Sequence, residues 1–207
     1  MHRLRSFHRA DEGQNLVEFA LLLPVLMFIL MGIMQFGLIF AVYLTMNNTV
    51  REGARWASIY IYDNSQTQAQ NDAARNDGLL DRIVASRGIL SMDRGTNTPN
   101  FTNGNTWTSG TGGTACLYAT NTDAAPDQLY WTNGDTLVCY SNPTGVPSGG
   151  TTRKGYYLYV ESYYHLQVFM PLLQAFLPDD PSINPATGLP RNAPWIRLPG
   201  RITVVVN

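Results

Sequence analysis

Charge is what this sequence lacks. Only 14% of its 207 residues are charged, against about 25% in an ordinary soluble domain. Lys and Arg number 14 and Asp and Glu 15, a formal net charge of -1. That balance excludes the basic footprint needed to neutralise a run of phosphates, so no nucleic-acid partner is expected. Histidine and cysteine are also scarce, at three and two. Two of the histidines, His2 and His8, stand at the N-terminus, which leaves His165 alone in the remainder. Two distant cysteines offer too few ligands for a metal site. No GxSxG, HExxH, Walker or dinucleotide-binding pattern occurs. His165 lies between Tyr164 and Leu166 and reads as a core or edge histidine. No enzyme activity and no cofactor are expected.

The missing charge is concentrated. Between Phe19 and Val50 there is no Asp, Glu, Lys, Arg or His, and Phe19 to Leu44 reads FALLLPVLMFILMGIMQFGLIFAVYL. About 20 such residues suffice for a helix to cross a bilayer core of about 30 Å. A helix is required because an unpaired amide in lipid costs several kcal/mol. Pro24 lies one or two turns in, where it bends or locally loosens such a helix. The apolar run is nearly twice as long as a cleaved secretory signal's, and VYLTMNNTV after it offers no convincing cleavage site. A retained anchor at about 19–44 is predicted. Arg3, Arg5 and Arg9 outweigh Asp11 and Glu12 ahead of it, which predicts an N-terminus in the cytoplasm and a C-terminal region outside. Arg51 and Arg55 on the far side weaken that asymmetry, and Glu52 offsets one of them.

Glu18 stands at the mouth of the apolar run, where a carboxylate costs energy unless it is wet, neutral or paired. The bland reading places it in the headgroup zone. Its neighbours suggest more: Glu12-Gly13 precedes Gln14, and Glu18 is the fifth residue counted from Gln14. This resembles the class III prepilin signal, a short basic leader ending in Gly and cut on the cytoplasmic side. The ordered set of the VEFALLLPVL block at Val17–Leu26, the Phe36-Gly37 pair and REGARWA at Arg51–Ala57 resembles the TadE-like family. Those proteins are pseudopilins of the tight-adherence (Flp) pilus system. The resemblance covers residues 12–57.

The resemblance implies a basic leader at 1–13, cleavage after Gly13 by a prepilin peptidase, and a mature chain starting at Gln14. It further implies that Glu18 recognises the new α-amine on a neighbouring subunit, the peptidase or a partner pilin. An N-terminal Gln can cyclise, which would remove that amine's charge. Gln35 stands before the Phe-Gly pair where the family commonly has Glu, so hydrogen bonding is kept without charge. The implied partners are the peptidase, other pilins or pseudopilins, inner-membrane assembly proteins and the lipid bilayer. The implied place is the cytoplasmic (inner) membrane, crossed once, with entry into a surface pilus left open.

Beyond Leu44, Val50, Ala54, Ala57 and Ile61 form an apolar stripe that carries the helix on to about Tyr60. Arg51, Glu52 and Arg55 fall off that stripe, either solvated or available to the head or to the next subunit. Gly53 permits close approach of a sheet. A second helix is predicted over 70–86, followed by a polar loop at 93–114. Strands are predicted at Ala115–Ala119, Thr136–Tyr140 and Gly155–Tyr164, with RITVVVN as a closing strand. Seven prolines between 171 and 200 predict an extended, loop-like path. Cys116 and Cys139 enclose a 22-residue loop, and in an oxidising compartment they predict one disulfide, worth about 3 kcal/mol. The expected fold class is α+β: residues 14–60 as a long helix and residues 61–207 as a pilin-like head with a second helix and an antiparallel sheet. The alternative is an uncleaved, signal-anchored domain binding a protein or carbohydrate through aromatic residues such as Trp107, Trp131 and Trp195.

Overall fold

The computed structural model describes residues 8–95, 97–104, 106–111, 129–141, 152–185, 187–191 and 194–207. One helix dominates it: α1, His8–Ser58, has 51 residues and runs unbroken through Pro24, about 76 Å at 1.5 Å per residue. The second helix, α2, spans Gln68–Ala85. Thr67 starts it with a capping box, in which its hydroxyl accepts from the Gln70 amide while the Gln70 side chain accepts from the Thr67 amide. Five strands follow: β1 Thr108–Thr111, β2 Leu129–Asn133, β3 Thr136–Ser141, β4 Tyr157–Gln167 and β5 Trp195–Val205. A short turn of helix, α3, Pro171–Gln174, lies between β4 and β5. The strands form one open antiparallel sheet in the order β1-β2-β3-β4-β5. The fold is α+β, a long apolar helix plus a small sheet-containing head.

The core lies between the helices and one face of the sheet. Along β4, Leu158, Val160 and Ser162 are fully buried, as are Val138 and Tyr140 on β3. The helical side of this layer is a stripe of α1: Val42 is 4% exposed, and Met46, Val50, Ala54 and Ala57 are at 0%. Close approach is built in at two places. A Cβ on Gly53 of α1 would lie 2.6 Å from Ile83 Cγ1 and 3.0 Å from Leu79 O of α2. A Cβ on Gly200 of β5 would lie 2.8 Å from Met46 O. Gly53 therefore admits α2, not the sheet expected there, and the sheet's close contact falls one stretch earlier on the helix.

Other expectations are corrected in the same way. The stripe ends at Ala57, because α1 stops at Ser58 and leaves Ile61 87% exposed. The polar loop at 93–114 ends in β1. The proline-rich path contains α3 and the first half of β5. Pro199 is tolerated in β5 because that strand is the sheet's edge, with one side free of ladder bonds. The expected Cys116–Cys139 disulfide is not found among the described residues, and Cys116 lies outside them. Cys139 on β3 is 1% exposed, packs with Tyr159, Tyr130 and Leu137, and is not a free cysteine. The strand expected at Ala115–Ala119 also lies outside the described residues.

Candidate assembly surface on the long helix

Residues 13–20 of α1 are exposed. Gln14 Nε2 donates to Glu18 Oε1 at 3.3 Å, one helical turn along the same face. The pair sits where the apolar surface begins, so the Glu18 carboxylate has a local partner yet stays open to a neighbour. Gly13 is itself helical and nothing lies within 4 Å of the position a Cβ would take. Local unwinding of the helix at Gly13 costs about 1 kcal/mol less than it would at alanine.

From Leu16 to Met31 the large apolar side chains project on every face, at 45–71% exposure. Coverage by the head begins at Gly32. From there one stripe, Gly32, Gln35, Ile39, Val42, Met46, Val50, Ala54 and Ala57, is shielded at steps of three or four. Gln35 is only 7% exposed, and its Oε1 accepts from the Phe169 amide at 3.3 Å. Its Nε2 has no hydrogen-bond partner among the described residues. The one polar side chain in the middle of the apolar run is thus turned toward the head.

REGARWA divides between two faces. Gly53, Ala54 and Ala57 are buried against the head, and the Trp56 ring fills the space over Gly78, where a Cβ would sit 1.9 Å from Cη2. Arg51, Glu52 and Arg55 all point outward and are exposed. None of the three makes an ion pair with a described residue. The described residues of the head offer them no ionic partner.

The head's own polar clusters are structural. Asp72, 1% exposed, receives the Arg153 guanidinium through Nη2 at 2.8 Å and Nε at 3.2 Å, and Tyr62 donates to its other oxygen at 2.9 Å. Burial, with Asp72 beside it, pushes the Tyr62 phenol well above its usual range. Arg153 is pushed upward: burial works against its charge, but Asp72 outweighs burial. Arg75, fully buried, lies 4.5 Å from the Tyr62 ring centroid and 5.6 Å from those of Tyr60 and Tyr140, with no hydrogen-bond partner on its nitrogens.

A second cluster holds His165, 0% exposed, between two carboxylates. Nδ1 contacts Asp180, and Nε2 lies 3.0 Å from Asp135 Oδ1, off the line of a hydrogen bond. Ser182 Oγ sits 3.3 Å from Nδ1 and donates to Asp180 Oδ1 at 2.6 Å. The three residue types suggest a hydrolytic triad, but the hydrogen bonding is wrong. Ser182 gives its proton to Asp180 rather than to the imidazole, and Asp135, the carboxylate on the ring nitrogen opposite the serine, is off the line of a hydrogen bond, whereas a triad needs both bonds made. The cluster clamps the 178–191 segment and the β2–β3 turn onto β4. Among the described residues no group of three or more His, Cys, Asp or Glu is arranged to hold a metal ion.

The tryptophans of the alternative reading are engaged within the head. Trp107 donates to Asp77 at 2.9 Å, and Trp131 packs edge-on to Tyr140 at 5.2 Å. Trp195 is half-buried at the start of β5. An open groove of about 390 Å³ runs past Trp131, Asp72 and Arg153, but the last two neutralise each other.

Residues 13–55 match the family model described as TadE-like protein. That segment coincides with α1 from the first exposed glycine to the last arginine of the outward face. The match is partial, covering the helix and not the head. No curated protein and no solved structure matches the chain. The long apolar helix is consistent with a single membrane-spanning segment, and family and site chemistry are consistent with a non-enzymatic role.

Proposed function

We propose that this chain is a TadE-like pseudopilin or minor pilin, cut after Gly13 and acting structurally in assembly or initiation of a tight-adherence type pilus or related secretion apparatus. The observation that carries the reading is the agreement between family match and surface. The matched segment, 13–55, is a helix of which one stripe is covered by its own head while the rest is bare. A bare apolar helix surface is suited first to lipid and then to other helices. In this reading residues 1–13 are the leader, 14–60 the membrane and assembly helix, and 61–207 the head outside the cytoplasm. Glu18 meets a cationic or hydrogen-bonding group of a neighbour or of the peptidase at the membrane edge. Arg51, Glu52 and Arg55 form the outer contact, because they are charged, outward and unengaged by the head. Gln35 serves the head of its own subunit.

The test is complementation of cells that lack the chain, scored for surface pili and for removal of the leader. Wild type restores pili. Glu18→Ala and the combined Arg51→Ala, Glu52→Ala, Arg55→Ala variant remain in the membrane but fail to restore them. Full restoration by both variants would remove the assembly role from these residues.

A further inference from the structure

The tip of the head sits beside the membrane helix at a depth that water does not reach. Counting from Phe19, the first residue of the charge-free run, the uncovered part of α1 ends at Met31. Thirteen residues rise roughly 20 Å, whereas the hydrocarbon core is about 30 Å thick. A bilayer around α1 must therefore extend past Gly32 and Gln35 to about Leu38, and any tilt of the helix takes in still more. At that level the head is already present: the Met170 sulfur is 3.7 Å from the position of a Cβ on Gly32, and the Phe169 amide bonds to Gln35.

The segment found there is suited to lipid. Val168 to Pro178 reads VFMPLLQAFLP, with no charged residue, and Asp179-Asp180 follow at once. Phe169 is 66% exposed and Phe176 78% exposed, the second-highest exposure among the described large apolar residues of the head. Backbone amides in hydrocarbon must be satisfied internally. Most of the segment's amides are: Val168 donates to Pro194 O at 2.7 Å, Phe169 to Gln35, Leu173 and Gln174 to Met170 O, and Phe176 and Leu177 to Leu173 O. Pro171 and Pro178 have no amide to satisfy. Gln174, the only polar side chain of the segment, donates inward to Val168 O at 2.8 Å.

We infer that Val168–Pro178 is a second membrane-contacting element, which embeds Phe169 and Phe176 among the acyl chains of the leaflet on the head's side. The head is then seated on the bilayer at two points, α1 and this tip. Release of the subunit from the membrane into an assembly must expose the tip or cover it with another chain. The inference rests on the reading of α1 as the membrane span.

The test is photocrosslinking with benzoylphenylalanine introduced singly at Phe28, Phe169, Phe176 and Ile61. The full chain is reconstituted in phosphatidylethanolamine–phosphatidylglycerol vesicles, and adducts are identified by mass. Lipid adducts are expected at Phe28, Phe169 and Phe176 and not at Ile61, which is equally open but lies beyond the far end of α1. Lipid capture at Phe28 without capture at Phe169 and Phe176 overturns the inference, as does crosslinking of those two only to a second copy of the chain. Absence of lipid adduct at Phe28 overturns the span itself and is read separately.

Discussion

Asp72→Asn is the most informative single change in the head. The Arg153 guanidinium is buried against the Asp72 carboxylate, with Asp72 at 1% and Arg153 at 7% exposure, and Arg75, at 0%, is buried among the tyrosine rings of the same layer. The amide keeps the shape and one acceptor but removes the charge, leaving the buried Arg153 without its counter-charge. Two charge-assisted bonds from Arg153 are weakened, each worth about 1.5–3 kcal/mol. The sum agrees with the roughly 3–5 kcal/mol lost when one partner of a buried ion pair is removed. This is about a fifth or more of the roughly 5–15 kcal/mol by which a typical domain is stable. The assay is urea unfolding of the full chain in detergent micelles, followed by near-ultraviolet circular dichroism, because the tyrosines around Arg75 and Arg153 report the packing of this layer. A loss of about 3 kcal/mol or more is expected. Adding Arg153→Met to Asp72→Asn should recover part of it, since the stranded charge is removed. A cost under about 1 kcal/mol would refute the view of this cluster as the head's buried polar centre.

Three further outcomes are expected. Burial opposes ionisation of Asp180, but the hydroxyl and amide of Ser182, with His165, hold its carboxyl below the ordinary range. Its folded pKa being depressed, it contributes stability above the unfolded value of about 3.9, and this is lost as pH falls through the folded value. Asp180→Asn should therefore lower stability at neutral pH and flatten its dependence below about pH 4, read from urea midpoints across that range. Gly78→Ala forces its Cβ against the Trp56 ring; the overpacking cost of about 1–3 kcal/mol exceeds the gain in helix propensity of about 1 kcal/mol, so unfolding comes earlier and Trp56 emission shifts. Gly134 has φ +55°, and a Cβ there would lie 2.1 Å from Thr102 O. Gly134→Val should cost at least about 2 kcal/mol by thermal unfolding, and a neutral result would show that the β2–β3 turn is not held against residues 102–103.

How much of this was legible in the sequence depends on contrast. Val50, Ala54 and Ala57 stood out because charged residues interrupt them, and all three are buried. Val42 and Met46 belong to the same stripe but were hidden, because in a uniformly apolar run periodicity carries no signal. Gln35 was the one visible mark there. Phe169, whose amide meets it, lies just ahead of the prolines that make 171–200 read as extended chain. The charge-free eleven residues from Val168 were the available clue. β2 was missed beside a stretch rich in Asp, Pro and Asn, although Asn133-Gly134, a strong hairpin dipeptide, marked its end. β4 was read as a strand from its alternation, and its inner face, Leu158, Val160 and Ser162, packs as expected. His165 reads from its neighbours as a core or edge histidine and is fully buried. Its partners Asp135 and Asp180 were not foreseeable, since only the β2–β3 turn and the 178–191 segment bring them to it. Which face of α1 remains bare was likewise a tertiary outcome, and it is that face on which the functional reading depends.

Intact-mass and N-terminal analysis of the membrane-extracted chain, with and without an active prepilin peptidase, tests the central claim most directly. The account predicts a mature chain beginning at Gln14, or its cyclised form, only when the peptidase is active. A chain that still carries its leader in the presence of active peptidase would contradict the account and leave an anchored domain whose head must explain its function.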